Sequence, residues 1–282
     1  MSCTWYGFST ARKPISSPPA ATMVRGRRPL RQIILILLLV ALVGFMLWQQ
    51  RQSTPMGMIA MPAATYALLT LDGDGAANSV ALDAFFIDRF EVTNRDYRGC
   101  VDEGECVWPL QPNSATRTDY FTNPAFDGYP VVNVTQAMAA GYCAWQEKRL
   151  PSAGEWQAAA SVSPTTGQFF RFPWGESFEA QRTGSANTGV GDTGAGDTMV
   201  VGSFRPAGDS PSGVADMAGN VAEWTTTLLP GSEGKPLAIV KGGSFISNAD
   251  ALTVYSEAPV EVNQALPEVG FRCARSHLLT QR

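Results

Sequence analysis

Histidine is nearly missing: the 282-residue chain has only His277, close to its C-terminus. That excludes a metal centre built from several imidazoles. Cysteine is scarce too, with five in the chain and no C-x-x-C pair, which argues against a structural zinc site. Asp and Glu are absent from residues 1–51, which hold seven Lys/Arg, while the rest carries 14 basic and 25 acidic residues. A nucleic-acid binder carries its positive patch on the folded domain, so no nucleic-acid partner is expected. An acidic body suits solubility, and it also suits a site for hard cations.

Charge is also missing from "IILILLLVALVGFMLW", Ile33 to Trp48. As a helix this run spans about 24 Å, and Gln32, Gln49 and Gln50 extend it towards the headgroups. A cleaved signal peptide has a shorter apolar core and a small-x-small site soon after, and "QQRQSTPM" offers none. Residues 32–50 therefore read as a transmembrane anchor. Arg12, Lys13, Arg25, Arg27, Arg28 and Arg31 precede it and only Arg51 follows closely. The positive-inside rule puts the N-terminus in the cytoplasm and residues 51–282 outside, as a single-pass membrane protein. Cys100, Cys106, Cys143 and Cys273 then share an oxidising compartment, and four cysteines allow three pairings.

The layout expected is a disordered basic tail over residues 1–31, the anchor, a tether over 51–65, a globular domain over 66–277 and a short tail over 278–282. Strands are expected between Val80 and Val92 and over "YPVVNV" and "LAIV". Thr93 can cap a helix over "NRDYRGCVDEG" and Thr135 one over "QAMAAGYCAWQEK". Ser152 and Glu155 form a capping box for "AGEWQAAAS". Beyond it lies a long Gly, Asp, Ser and Thr-rich half that still carries Trp174, Trp224, Phe245 and Phe271. Aromatics in such a stretch imply order, and order there needs staples. Trp174 and Trp224 are expected in the core. Arg149 and Glu155 are expected to be structural, and Asn133-Val134-Thr135 is a weak glycosylation sequon.

The segments "FFIDRFEVTNRDY", "YPVVNVTQAMAAGYCAWQEKRLPSAGEW", "FPWG", "GVADMAGNVAEWT", "VKGGSF" and "VGFRCA" together resemble the formylglycine-generating enzyme, or sulfatase-modifying factor, family. They cover about Ala64 to Ser276 in the family's order. The resemblance implies an α+β fold, a variant of the C-type lectin fold with much irregular structure. It implies the disulfides Cys143–Cys273 and Cys100–Cys106. It also implies structural Ca2+, which takes six to eight oxygen ligands in loose geometry. One site would use Asp216, Glu223 and the carbonyls of Gly219 and Val221. A second would use Asn187 and Thr188 with Asp192 and Gly194, Asp197 being the rival for Asp192.

Formylglycine-generating members of the family hold copper between two cysteines placed after a Gly-Gly-Ser and oxidise a sulfatase cysteine to formylglycine, while other branches do iron chemistry with histidines, a site that His277 alone cannot build. After Gly242-Gly243-Ser244 those positions here are Ser247 and Leu252. Cu(I) needs soft thiolates, so no copper is expected. Ser244, Ser247 and Asn248 become a candidate recognition loop. The resemblance then leaves two readings. One is a non-catalytic binding or structural subunit of an envelope complex with a protein partner. The other is an oxidative protein-maturation enzyme with divergent ligands.

Overall fold

The computed structural model describes residues 32–42, 55–69, 77–163, 166–185 and 196–277. The chain divides into two units, Met1–Ser53 and Thr54–Arg282. In the first, helix α1 covers residues 32–42 with every residue exposed. Among the described residues no helix is long and apolar enough to cross a membrane. Residues 43–50 of the expected anchor lie outside the described residues, as do the tails over 1–31 and 278–282.

The second unit is mixed α+β. Its strands are β1 (Met58–Met61), β2 (Ala64–Leu69), β3 (Ala77–Leu82), β4 (Phe85–Asp88), β5 (Ala222–Leu229), β6 (Leu237–Lys241), β7 (Glu257–Glu261), β8 (Val269–Gly270) and β9 (Ala274–Ser276). Its helices are α2 (Asn94–Asp102), α3 (Gln136–Trp145) and α4 (Ala153–Ser161). Strands β2 and β3 form a hairpin, β1-β4-β9 a three-stranded sheet and β7-β6-β5-β8 a four-stranded one. Within the last, β5 and β8 run parallel and the other neighbours antiparallel. Folded structure thus starts earlier than expected. Met58 and Met61 pair with Asp88 and Phe85 and bury their side chains, so β1 sits inside the stretch read as a tether.

Local signals set the helices. Thr93 accepts from the Asp96 amide at the start of α2, and Thr135 caps α3. Ser152 and Glu155 close a reciprocal box on α4. Arg149 grips Glu155 through two nitrogens at 2.7 and 2.6 Å, which, with the Ser152 contacts, holds that carboxyl below its usual range despite burial. The segment "YPVVNV" is not a strand of any sheet, and Asn133 within it bends the chain at φ of +59°. It makes one isolated bridge, Thr93 with Pro130, and Val131 donates to Val92. Pro130 lacks the N–H that a continued ladder would use.

Two large apolar clusters dominate the core among the described residues, with two smaller ones beside them. One gathers Tyr97, Tyr142, Trp224 and Phe271 around both disulfides, Cys100–Cys106 and Cys143–Cys273. The second bridge joins α3 to the C-terminal strands across 130 residues of sequence. In the chain-entropy account such a loop contributes about 4–5 kcal/mol. The other cluster packs Trp156 of α4 against Phe85, Ile87 and Met217. Trp224 is fully buried, but Trp174 is only half-buried and stacks on Phe172. Asn133 is buried, and its amide nitrogen donates to the Asn113 carbonyl at 2.7 Å, so the sequon is occupied by packing.

Candidate functional site

Strand β6 ends at Lys241 and the chain turns through Gly242 and Gly243, at φ of +92° and +64°. Both values lie in the left-handed region that favours glycine. Close approach fixes them as well. A Cβ on Gly242 would meet the Trp156 ring at 2.9 Å, and one on Gly243 would meet the Ala251 carbonyl oxygen at 2.7 Å. The turn then closes on itself. The Ser244 amide donates to Ser247 Oγ at 2.9 Å, and the Ala251 amide donates to Asn248 Oδ1 at 3.1 Å.

This geometry brings the two expected copper positions together. Ser247 Oγ and Leu252 Cδ2 lie 3.0 and 3.1 Å from the point where a Gly243 Cβ would stand. One is a hydroxyl already accepting from an amide, and the other is a buried hydrocarbon. The four cysteines of this unit are all in disulfides. The donors present do not fit copper. Beside the turn is a cavity of about 210 Å3, walled by Val240, Val260, Leu266 and Val269. Ser244, Ser247 and the half-exposed Ile246 also line it.

A family profile described as "Sulfatase-modifying factor enzyme 1-like domain" matches residues 45–277. The chain belongs to this family. The sulfatase-modifying-factor domain is 28% identical over 268 residues to a Bos taurus protein named "Inactive C-alpha-formylglycine-generating enzyme 2", covering 77% of this chain and 87% of that one. It is 33% identical over 182 residues to a hercynine oxygenase of Mycolicibacterium thermoresistibile, covering 56% of this chain but only 39% of the relative. Among solved structures the fold matches "CarF" with a TM-score of 0.64 at 20% identity, covering 79% of this chain and 99% of that one. It also matches PvdO from Pseudomonas aeruginosa, with a TM-score of 0.59 at 23% identity and coverages of 78% and 94%.

The loop expected to hold calcium lies directly under this turn, since the Gly219 amide donates to the Gly242 carbonyl. Asp216, Gly219 and Asn220 have φ of 60°, 92° and 61°, which makes it the irregular loop the sequence suggested. Glu223, however, is fully buried with both oxygens on Arg272, each at 2.6 Å, and Trp156 Nε1 adds a third contact at 2.8 Å. Asp216 accepts from the Gly202 amide. Among the described residues no group of three or more His, Cys, Asp or Glu is arranged to hold a metal ion. A cation in this loop therefore has to draw on Asp216 and the carbonyls of Gly219 and Val221, with Glu223 committed elsewhere. Asn187, Thr188, Asp192 and Gly194 lie outside the described residues. Their rival Asp197 is buried, accepts from Ser114, Thr116 and Thr198, and pairs with Arg117 at 3.2 Å. It ties two loops together.

Sequence reasoning missed the centre of this network. Arg272 spreads its guanidinium over Glu223 and the carbonyls of Asp88, Arg89 and Ala215. Glu91 and Asp216 crowd the same place. Burial, and then the charges of Asp216 and Glu223, push Glu91 well above the carboxylate range. Burial likewise lifts Asp216 to about 6. The signal was visible as the Arg in "VGFRCA", but its distance in sequence from "VAEW" hid the pairing. Lys241 is a second buried charge. Its Nζ has no hydrogen-bond partner, with Glu257 at 3.6 Å and the Trp156 ring centroid at 5.9 Å. Burial lowers its pKa to about 8.

Proposed function

We propose that this sulfatase-modifying-factor domain is a membrane-anchored, extracytoplasmic, non-catalytic module that binds a protein partner in an envelope complex. The observation that carries the reading is the pair Ser247 and Leu252 flanking Gly243, a hydroxyl and a hydrocarbon where copper-dependent formylglycine formation needs two thiolates. The loop around them is internally hydrogen-bonded and borders an apolar slot, which suits recognition. A relative named as inactive points the same way. Support for the anchor is the uncharged run Ile33–Trp48, whose described part is a helix exposed on every side. A structural Ca2+ at the Asp216 loop is part of the proposal, with the ligands narrowed as above.

The test is conversion of a sulfatase-motif cysteine peptide by full-length protein supplied with Cu(I) and oxygen, followed by mass spectrometry. No aldehyde above a protein-free control is expected. Clear turnover would replace this reading with the maturation-enzyme one. For topology, an impermeant thiol reagent applied to intact cells should leave Cys3 unlabelled.

A further inference from the structure

A second cavity, of about 470 Å3, lies away from the Lys241–Leu252 turn. It opens where the end of β4, the first two turns of α2 and the C-terminus of α3 meet. Its volume is in the range of small-molecule sites, roughly 300–1,000 Å3. Its lining combines three aromatic residues, Phe90 after β4 and Tyr142 and Trp145 on α3, the last two with centroids 5.6 Å apart, with the charged Asp88, Glu91, Arg95, Asp96 and Lys148.

The polar groups around it are unevenly matched. Tyr142 is 6% exposed, and its hydroxyl makes no hydrogen bond among the described residues. Burial, and then the charges of Asp96 and Asp88, push that phenol up, so it stays protonated across the physiological range. Asp88 is matched by Lys148 at 2.8 Å and by the Cys273 amide at 3.1 Å. Asp96 is held from one side, where Thr93 Oγ1 donates to its Oδ2 at 2.6 Å as part of the α2 cap. Its exposed carboxylate has no cationic partner within ion-pair distance among the described residues. Arg95, the other cation at the mouth, is 68% exposed and leans towards Asp127 at 3.9 Å. Capping accounts for Asp96, and Tyr142 brings a second acceptor oxygen to the residues that line the cavity.

We propose that this cavity binds an alkylammonium group, with the Tyr142 hydroxyl and the Asp96 carboxylate accepting its N–H groups and the Trp145 ring covering its methylenes. Trp145 Nε1 already donates to Glu103 at 3.2 Å, which fixes the ring as a wall. An ammonium within about 6 Å of an aromatic ring also gains from the ring's quadrupole. The group can belong to a free diamine or to a lysine side chain of a polypeptide partner.

Full-length protein in detergent would be titrated calorimetrically with 1,5-diaminopentane, with 1,5-pentanediol and glutarate as neutral and anionic controls. A parallel titration would use the peptides acetyl-Gly-Lys-Gly-amide and acetyl-Gly-Gln-Gly-amide. Saturable binding of the ammonium compounds alone is expected. Tyr142→Phe keeps the ring packing and Asp96→Asn keeps an oxygen for the Thr93 cap, so both should retain the thermal midpoint while weakening binding at least tenfold. Tighter binding of the lysine peptide assigns the source to a partner chain, and tighter binding of the diamine assigns it to a free amine. No saturable binding of either ammonium compound, equal binding of the diol, or unchanged binding in both variants would overturn the proposal. The formylglycine assay is independent of each of these outcomes.

Discussion

Replacing Arg272 with Met removes the one cation inside a buried acidic cluster. Arg272 and Glu223 are both fully buried, and the guanidinium makes two 2.6 Å bonds to that carboxylate plus bonds to three carbonyls. Removing one member of such a pair costs about 3–5 kcal/mol, because the other charge is left in a poor solvent. The three carbonyls add to this, at about 1 kcal/mol or more for each that finds no new donor. Against a total stability of about 5–15 kcal/mol, Arg272→Met should fold weakly or not at all. Glu223→Gln should lose about 3 kcal/mol, since the arginine keeps its carbonyls but loses its counter-charge. The double variant is the informative one. With both charges gone, the interior holds a thioether and an amide in place of an ion pair, so its loss should be smaller than the sum of the singles by at least about 2 kcal/mol. Urea unfolding followed by the fluorescence of Trp156 and Trp224, both fully buried, reads this cycle. If Arg272→Met proves insoluble, recovery of soluble protein in the double variant still reports the coupling. Single losses under about 1 kcal/mol, or strictly additive ones, would refute the claim that this pair holds the loop.

Gly242→Ala should lower stability by about 1–3 kcal/mol, because it combines a left-handed backbone with a methyl pressed onto Trp156; an unchanged urea midpoint would contradict the packing described. Lys241 titrates near 8 when folded and near 10.5 when unfolded, so the unfolded state binds more protons between those values and stability should rise with pH across that window. Thermal midpoints from pH 7.5 to 9.5 should show the rise in wild type and lose it in Lys241→Met, and an equal rise in both would clear Lys241 of the effect. Millimolar Ca2+ should raise the midpoint of the chelated protein, and Asp216→Asn should abolish that rise; a rise that persists in the variant places the ion away from this loop.

Local signals were legible in the sequence wherever the physics is local. Thr93, Thr135 and Ser152 each cap the helix that follows them, because a cap depends on residues only three or four apart. Both disulfides followed from the family resemblance, and burial of Trp224 followed from general aromatic behaviour. What failed was long-range pairing. "YPVVNV" has strand composition but meets no continuous partner, and "MIAM" has little signal yet becomes β1 through pairing with β4. The site shows the same division. Gly242 and Gly243 announced a tight turn, and Ser247 and Leu252 announced the missing thiolates, all within twelve residues. Glu223 read as an oxygen ligand because its neighbours in sequence are Asp216 and a glycine loop. Its neighbour in space is Arg272, 49 residues away, and a guanidinium satisfies a carboxylate as well as a metal ion does. Cation sites inferred from acidic loops alone therefore need the distant arginines placed first, because a guanidinium that takes up both oxygens of a carboxylate competes with a metal ion for them.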